Sequence, residues 1–233
     1  MLKIENAEVY GWEAVVRGMR NPMNSWEQSD SKLTVMNPGD VELGYEPNYE
    51  YIVGEKDLDL MHRLRKAGPD HRKFMRMITV SFDLVAPLYW WKEFDTYKVG
   101  TVANSCSTMH KIHAKEFTLD DFSHEHLIGQ GVIILRNLID ALNDARDSYL
   151  KFDEYYANGE LDRELTCKKD VWWQLIQLLP SSYNQRRTVM LNYEVLANIY
   201  KSRKNHKLDE WHTFCEWIEG LPYSELITGF DGG

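Results

Sequence analysis

The chain has 233 residues, of which 43% are hydrophobic and 12% aromatic, enough apolar material for a core in one large domain or two small ones. A formal net charge of −9 disfavours non-specific attraction to nucleic acid or to an anionic membrane. No apolar run approaches the roughly 18 residues of a membrane span, and the first residues lack a signal-peptide pattern. We therefore expect neither nucleic acid nor a membrane as partner.

The cysteines and histidines predict neither disulfides nor a metal site. Cys106, Cys167 and Cys215 are odd in number and far apart, which fits neither a disulfide framework nor a zinc ribbon and indicates a reducing cytoplasm. His124 and His126 could suit a metal only with further ligands from elsewhere, since no H-E-x-x-H or paired C-x-x-C spacing is present. There is also no P-loop and no G-x-G-x-x-G, the standard glycine loops that bind phosphate.

The first 50 residues begin with a short strand-like run over 2–12 and a brief helix over 13–19. Residues 20–50 are rich in Pro, Gly, Asn, Ser and Asp, so this segment is predicted to be mostly loop, with one short strand around Leu33–Met36. A loop of this length inside a compact domain is often a lid or a binding segment. A solvated surface loop is the simpler interpretation.

The next two elements have clearer periodicity. A helix is predicted over residues 57–67, because Leu58, Met61 and Leu64 would share one face of it. Gly68 and Pro69 follow as signals that end a helix. Residues 77–85 alternate apolar and polar side chains with the period of two that a half-buried strand requires.

The stretch over 86–113 combines an aromatic helix with a polar loop. Pro87 suits the first turn of a helix, because its missing N–H would be unpaired there. After Gly100 come Thr, Asn, Ser and Cys residues, which favour loops, and then two histidines three apart. This combination is typical of a small-molecule site. The alternative is a buried helix followed by an ordinary polar loop that binds no ligand, which would have the same sequence pattern.

The second half of the chain is predicted to be mainly helical. Apolar residues repeat at three and four over 127–152, and a helix of this length suggests packing against more than one neighbour, including another subunit. Residues 170–179 read as a buried helix capped by Asp170, and a last helix spans about 208–219 before Gly220. Between them, residues 178–203 carry the apolar face of a helix from which Arg186, Asn192 and Arg203 can reach outward.

Two segments resemble the flavin-dependent thymidylate synthases. In that family a strand leads through Ala-Pro into a helix ending in Arg-His-Arg, and seven residues later comes a Ser followed by Gly-Arg-Tyr. Here residues 81–87 (SFDLVAP) resemble the strand and the Ala-Pro pair that lead into that helix. The resemblance as a whole covers roughly residues 56–215. The later segment matches the family without a gap at Leu179, Pro180, Arg186, Asn192, Leu196, Asn198 and Arg203.

The central motif departs from the family pattern in two possible registers. Without a gap, residues 96–98 (TYK) take the Arg-His-Arg places and Cys106 the Ser place. With one inserted residue, residues 97–99 (YKV) and Ser107 take those places, Asn104 meets the family's Asn, and His110 its Tyr. In both registers two arginines are gone and at most Lys98 keeps a cation, which binds phosphate as a point charge rather than through a planar fork.

The resemblance implies a fold, cofactors and site residues. It implies a single α/β domain over 1–233, a small mostly antiparallel sheet flanked by several long helices, and a homotetramer. If the activity is retained, dUMP is methylated to dTMP over FAD, with methylene-tetrahydrofolate as carbon donor and NADPH as reductant of the flavin.

The implied site residues fall into three roles. We expect Lys98, Asn104, Ser107, Arg186 and Arg203 to converge on one pocket, lined by Tyr97 and His110 and completed across a subunit boundary. Lys98, Asn104, Asn192 and Arg203 would bind the cofactor, and Arg186 and Cys106 the substrate. Tyr97, Ser107 and His110 are the catalytic candidates: Tyr97 or His110 would stack or donate a proton, and Ser107 or Cys106 would be a contact rather than an obligatory nucleophile. A Cys106 thiolate activated by His110 is a further possibility.

Whether the protein is an enzyme stays open at this stage. The missing arginines favour an alternative, a non-catalytic protein that binds or sequesters a nucleotide on the same fold. A purely structural oligomer is a third reading.

Overall fold

The computed structural model describes residues 2–229 and has a mixed α/β fold. The strands are β1 (Lys3–Tyr10), β2 (Lys32–Val35), β3 (Tyr49–Ile52), β4 (Thr79–Pro87), β5 (Val102–Ser105) and β6 (Asn184–Asn192). The helices are α1 (Trp12–Arg20), α2 (Pro38–Glu42), α3 (Glu55–Lys66), α4 (Leu88–Phe94), α5 (Gln130–Leu150), α6 (Phe152–Asn158), α7 (Lys168–Leu178), α8 (Tyr193–Arg203), α9 (Asp209–Glu219) and α10 (Glu225–Thr228). The predicted fold class is confirmed. Of the helices described, none has both the length and the apolar character needed to cross a membrane.

The strands form two sheets. The larger sheet has the order β1-β4-β6-β5, and β2 pairs with β3 as an antiparallel hairpin in which Lys32 lies opposite Ile52 and Val35 opposite Tyr49. The predicted alternation along β4 is confirmed, because Val80, Phe82 and Leu84 are buried while the residues between them are partly exposed. This half-buried strand is the element that the sequence defines best.

The chain divides into two compact units, and the first comprises residues 2–5, 83–96 and 103–189. Its core lies between α5 and α7, which pack against each other. Since α5 is amphipathic, its buried face joins apolar side chains of the preceding loop and of α7 in one cluster. The buried members of this cluster are Ile112, Phe117, Phe122, Leu135, Ile139, Leu142 and Leu175.

The second unit comprises residues 6–82, 97–102 and 190–229. Helix α8 lies at its centre and contacts α9, α10 and the short helical segment Arg72–Met77. Its core is rich in aromatic rings: Phe214 lies 5.9 Å from Trp211, and Phe82 lies 4.7 Å from Trp217, measured between ring centroids. These aromatic side chains therefore pack the core of the second unit.

Several element boundaries differ from the prediction. Pro87 does not open a helix but ends β4 in an extended conformation, and α4 begins at Leu88. Helix α5 begins at Gln130 rather than residue 127, because Gly129 adopts a positive φ of 51°. The N-cap of α7 is Cys167 and not Asp170. Asp170 is the third residue of the helix, and its carboxylate accepts the backbone N–H of Cys167, as in a capping box.

Candidate functional site

Arg186 is held by carboxylates on the exposed side of β6 in the first unit. Its Nη2 donates to Asp83 Oδ2 at 2.7 Å, and its Nη1 lies 3.5 Å from Glu5 Oε2. Thr188, two residues along the same face, donates to the other Asp83 oxygen at 2.5 Å. The hydrogen bond and charge of Asp83 raise the pKa of Arg186. The side chain is nevertheless 45% exposed, so the guanidinium is accessible to a ligand.

Arg187 points to the opposite side of the strand, and sequence reasoning gave it no role. Its Nη1 donates to Asp95 at 2.7 Å and its Nε to the Gln185 side chain at 3.0 Å. The guanidinium also lies 4.1 Å from the ring centroid of the buried Trp91, a cation–π contact. Recognising residues 184–192 as a strand would have shown that adjacent arginines take opposite faces.

The Cys106 backbone is fastened to β6. Its N–H donates to the Arg186 carbonyl at 2.9 Å, and its carbonyl accepts from the Gln185 side chain at 2.8 Å. This places Cys106 beside Arg186, the two residues assigned to the substrate. The Cys106 thiol is free and exposed, whereas burial raises the pKa of Cys215 to about 11.

Ser107 shapes the loop that follows β5. Its hydroxyl oxygen accepts the backbone N–H of Met109 at 3.2 Å and of His110 at 2.9 Å. Such a side-chain turn fixes the loop locally. The loop is also held to α7, because the Trp172 indole donates to the Met109 carbonyl at 3.0 Å. His110 is exposed, as is Asn104 on β5.

Tyr97 and Arg203 contact each other in the second unit. Arg203 Nε donates to the Tyr97 hydroxyl at 2.9 Å. Its guanidinium carbon lies 5.6 Å from the Tyr97 ring centroid and 4.7 Å from that of Trp211. Two aromatic rings and a hydroxyl therefore fix this cation.

Asn192 and the turn carrying Lys98 are also neighbours in the second unit. Asn192 Oδ1 accepts the Val195 N–H at 3.0 Å and so caps α8. Gly100 has a φ of 80°, and a Cβ there would lie 2.9 Å from Asn192 Nδ2, so only glycine suits this turn. Lys98 is exposed.

The predicted residues thus form two groups, one in each unit. Arg186, Cys106, Ser107, His110 and Asn104 belong to the first unit, and Tyr97, Lys98, Asn192 and Arg203 to the second. Contacts join Arg186 with Cys106, and Tyr97 with Arg203. The convergence of both groups on one pocket stays a prediction.

The histidines considered for a metal have other surroundings. His124 Nδ1 lies 2.8 Å from the Phe122 carbonyl, and Glu125 and His126 are exposed. Within residues 2–229, no three His, Cys, Asp or Glu side chains are grouped closely enough to hold a metal ion.

No protein-family model and no curated protein matches the sequence. Among solved structures, thymidylate synthase X (ThyX) from Helicobacter pylori with FAD and dUMP is 14% identical, with a TM-score of 0.61 over 99% of this chain and 98% of that chain. A second structure of the Helicobacter pylori flavin-dependent enzyme with FAD and dUMP is also 14% identical, with a TM-score of 0.63 over 98% of both chains.

A related fold occurs in the UMP/dUMP methylase PolB from Streptomyces cacaoi bound with 5-Br dUMP, at 12% identity and a TM-score of 0.55 over 99% of this chain and 96% of that chain. Identities this low establish the fold rather than the activity. The agreement extends over nearly the whole of each chain, so it is not limited to one motif. The chain has the fold of the flavin-dependent thymidylate synthases.

Proposed function

We propose that this protein binds a uridine monophosphate nucleotide such as dUMP, with Arg186 contacting its phosphate. The proposal is supported by the exposed guanidinium of Arg186, which by sequence resemblance corresponds to an arginine of the flavin-dependent thymidylate synthases, and by a fold whose solved representatives hold dUMP. An arginine offers a planar fork of donors that suits phosphate oxygens. Cys106, whose backbone N–H donates to the Arg186 carbonyl and whose thiol is free, supplies a second group beside Arg186.

Methylation of dUMP to dTMP, with FAD, NADPH and methylene-tetrahydrofolate, is the activity that the fold suggests. The four residues assigned to the flavin fit it poorly as they stand. Asn192 Oδ1 already caps α8, and Arg203 is bonded to Tyr97 and packed on Trp211. Lys98 and Asn104 remain as exposed polar groups. Nucleotide binding is therefore better supported, by the exposed Arg186, than flavin binding is by these four residues.

A non-catalytic role in binding or sequestering a nucleotide is the second candidate. It is favoured by the loss of two arginines from the central motif and by the internal contacts of Arg203. A phosphate held by fewer cations binds more weakly, since each charge-assisted hydrogen bond contributes about 1.5–3 kcal/mol. Either the affinity for dUMP is lower than in an enzyme with all its arginines, or the ligand has a different phosphate geometry.

The first experiment measures dUMP binding by calorimetry and the absorption spectrum of the purified protein. Arg186→Ala should lower dUMP affinity by at least about tenfold, because a charge-assisted contact to the phosphate is lost. Arg163→Ala removes the same charge from an exposed position outside the proposed site and should leave the affinity unchanged.

Unchanged affinity in Arg186→Ala contradicts the assignment of Arg186. The spectrum separates the two candidate functions: flavin absorption bands in protein that binds dUMP support the methylating enzyme, and colourless protein that binds dUMP supports the non-catalytic role. Protein that binds no uridine nucleotide contradicts both.

The assembly and location implied by the resemblance remain proposals of the same kind. A homotetramer is supported by exposed apolar side chains around the start of α5, where Ile128 is 84% and Ile134 63% exposed. A cytoplasmic location is supported by three cysteines that are all free thiols.

A further inference from the structure

The loop after β5 and the helices α5 and α7 bring four basic side chains together in the first unit. They are Lys111, His113, Arg146 and Lys168, here called the basic cluster. Burial lowers the pKa of His113, and the charges of Lys111, Lys168 and Arg146 lower it further, so all three cations lie close to its ring. None of the four residues has been assigned to the nucleotide or to the flavin.

Specific contacts hold the members of the cluster beside one another. Arg146 Nε donates to the His113 backbone carbonyl at 3.1 Å. The Tyr149 ring, on the next turn of α5, lies 4.6 Å from the His113 ring between centroids, and Lys168 Nζ lies 4.8 Å from the Tyr149 centroid. Tyr149 therefore contacts both the cation from α7 and the histidine from the loop, which keeps the two side chains together.

Carboxylates offset only part of the positive charge in the basic cluster. Lys111 and Lys168 are exposed, and neither forms an ion pair within residues 2–229. Arg146 Nη1 lies 3.5 Å from Asp147 Oδ1, but the other oxygen of that carboxylate accepts from Lys151 at 3.1 Å. Like charges that are held close together repel, so the cluster costs free energy unless an anion offsets it.

His113 adds a hydrogen-bond donor to these charges. Its Nδ1 is shielded from solvent and has no hydrogen-bond partner among the described residues. Because a buried N–H without an acceptor is costly, the neutral ring should carry its proton on Nε2. Nε2 is not shielded in this way, and it forms no hydrogen bond in the part of the chain that the structure describes. An N–H without a protein acceptor, beside three cations, suits an anionic ligand.

We propose that the basic cluster binds the phosphate group of a small molecule, with Lys111 and Lys168 supplying charge and His113 Nε2 donating a hydrogen bond. A phosphate monoester carries nearly two negative charges and three strong acceptor oxygens, so it can contact several of these donors at once. Arg146 offers a further donor, because its Nη2 has no partner within residues 2–229. A long polyanion such as nucleic acid is disfavoured by the net charge of −9.

The probe is inorganic pyrophosphate without divalent metal, titrated into the full chain at constant ionic strength, because salt screens exposed charges. Calorimetry gives the affinity, and the ring signal of His113 in a proton–carbon NMR spectrum shows whether the anion lies at the basic cluster. The spectrum of His113→Gln lacks this signal and so assigns it. We expect saturable binding, and a shift of the His113 signal that saturates with the same Kd.

Variants that remove one charge locate the contact. Lys111→Gln and Lys168→Gln should each weaken pyrophosphate binding by about two- to fivefold, the range of an exposed ionic contact. The controls are Lys115→Gln in the same loop and Lys169→Gln at the next position of α7. Both control residues are exposed, neither is among the charges that act on His113, and their loss should leave the affinity unchanged. Thermal unfolding of each variant checks that the fold is intact.

Any of three results overturns the proposal: no saturable binding of pyrophosphate, a His113 signal that stays in place while pyrophosphate binds, or equal effects of the cluster variants and their controls. Binding that is lost in Arg186→Ala and leaves the His113 signal in place would assign the anion to the proposed nucleotide site instead. Because the basic cluster shares no residue with that site, Arg186→Ala should leave the His113 shift unaffected, and Lys168→Gln should leave dUMP affinity unaffected.

Discussion

Arg186 is both accessible to a ligand and already paired with carboxylates. Its guanidinium is exposed enough to contact a phosphate, yet Asp83 and Glu5 already neutralise it. A phosphate would have to compete with the Asp83 carboxylate for the same donor face. The affinity of the proposed nucleotide site should therefore depend on the carboxylate beside the arginine as well as on the arginine itself.

Removing this competition should strengthen nucleotide binding. Asp83→Asn keeps an oxygen that can accept from Thr188 but removes the charge, so we expect dUMP affinity to rise by about two- to fivefold, the range of a partly exposed ion pair. The measurement is calorimetric titration with dUMP. Asp95→Asn, which removes the carboxylate from Arg187 on the other side of β6, is the matched control and should give no gain. Unchanged affinity in Asp83→Asn would mean that Asp83 does not compete with the phosphate.

At this scale the sequence could predict residue types but few of their contacts. Arg186 was singled out through resemblance, whereas Asp83, 103 residues earlier in the chain, is brought to it only by the larger sheet. Likewise, Arg203 was predicted to face a cofactor, and its contact with Tyr97 spans 106 residues. Contacts between distant residues depend on strand order, and local patterns do not encode it.

A buried aspartate joins the loop after α1 to α3. Asp57 is fully buried and accepts hydrogen bonds at 2.6 Å from Arg20, Ser29 and Ser31. In the same loop, Asp30 accepts the Lys56 N–H at 3.0 Å, which satisfies the start of the helix. A Cβ on Gly54 would lie 2.2 Å from the Asp30 carboxylate, so the close approach requires glycine.

Loss of this charge should destabilise the fold. Asp57→Asn leaves the buried Arg20 without its counter-charge and should lower the free energy of unfolding by about 3–5 kcal/mol. Asp59→Asn, on the exposed face of the same helix and paired with Arg63, should change it by less than about 0.5 kcal/mol. Urea denaturation at pH 7 measures both, and equal effects would show that the buried pair does not stabilise the fold.

The Asp57 carboxyl should also make the stability of the fold depend on pH. Burial alone would raise the pKa of Asp57, but hydrogen bonds from Ser29, Ser31 and Arg20 offset this effect and lower it below its ordinary value. A carboxyl with a lowered folded pKa stabilises the fold fully above the unfolded pKa of about 3.9, and this stability is lost as pH falls through the folded value. The native protein should therefore lose more stability below about pH 4 than Asp57→Asn does.

Helices and strands with a clear apolar periodicity were predicted close to their observed places. Two strands without such a pattern, which form by pairing within the larger sheet, were not predicted. The helices near residues 57–67 and 208–219 and the strand β4 match their predicted places closely. Strand β6 was missed, because residues 184–188 are all polar and the helical pattern of α8 follows at once. The short strand β5 was predicted as loop, since exposed edge strands carry no apolar alternation.

Continuous strands link the two units along the chain. Unit boundaries fall inside β1, β4, β5 and β6, so each of these strands has residues in both units. The single domain over residues 1–233 that the resemblance implies stays a prediction.

Several exposed apolar side chains lie just before α5 and in its first turns. Leu127, Ile128, Ile133 and Ile134 are between 41% and 84% exposed, and a large apolar patch on a protein surface usually marks an interaction site. A second copy of the chain is the proposed partner, so light scattering should give a mass near four times 27.4 kDa. Ile134→Glu would place a charge in that interface and should shift the mass towards a single chain, because burying an unpaired carboxylate is costly. Leu43→Glu, at an apolar position outside α5 that is 77% exposed, should leave the mass unchanged. A native mass of 27.4 kDa at micromolar concentration would refute the assembly.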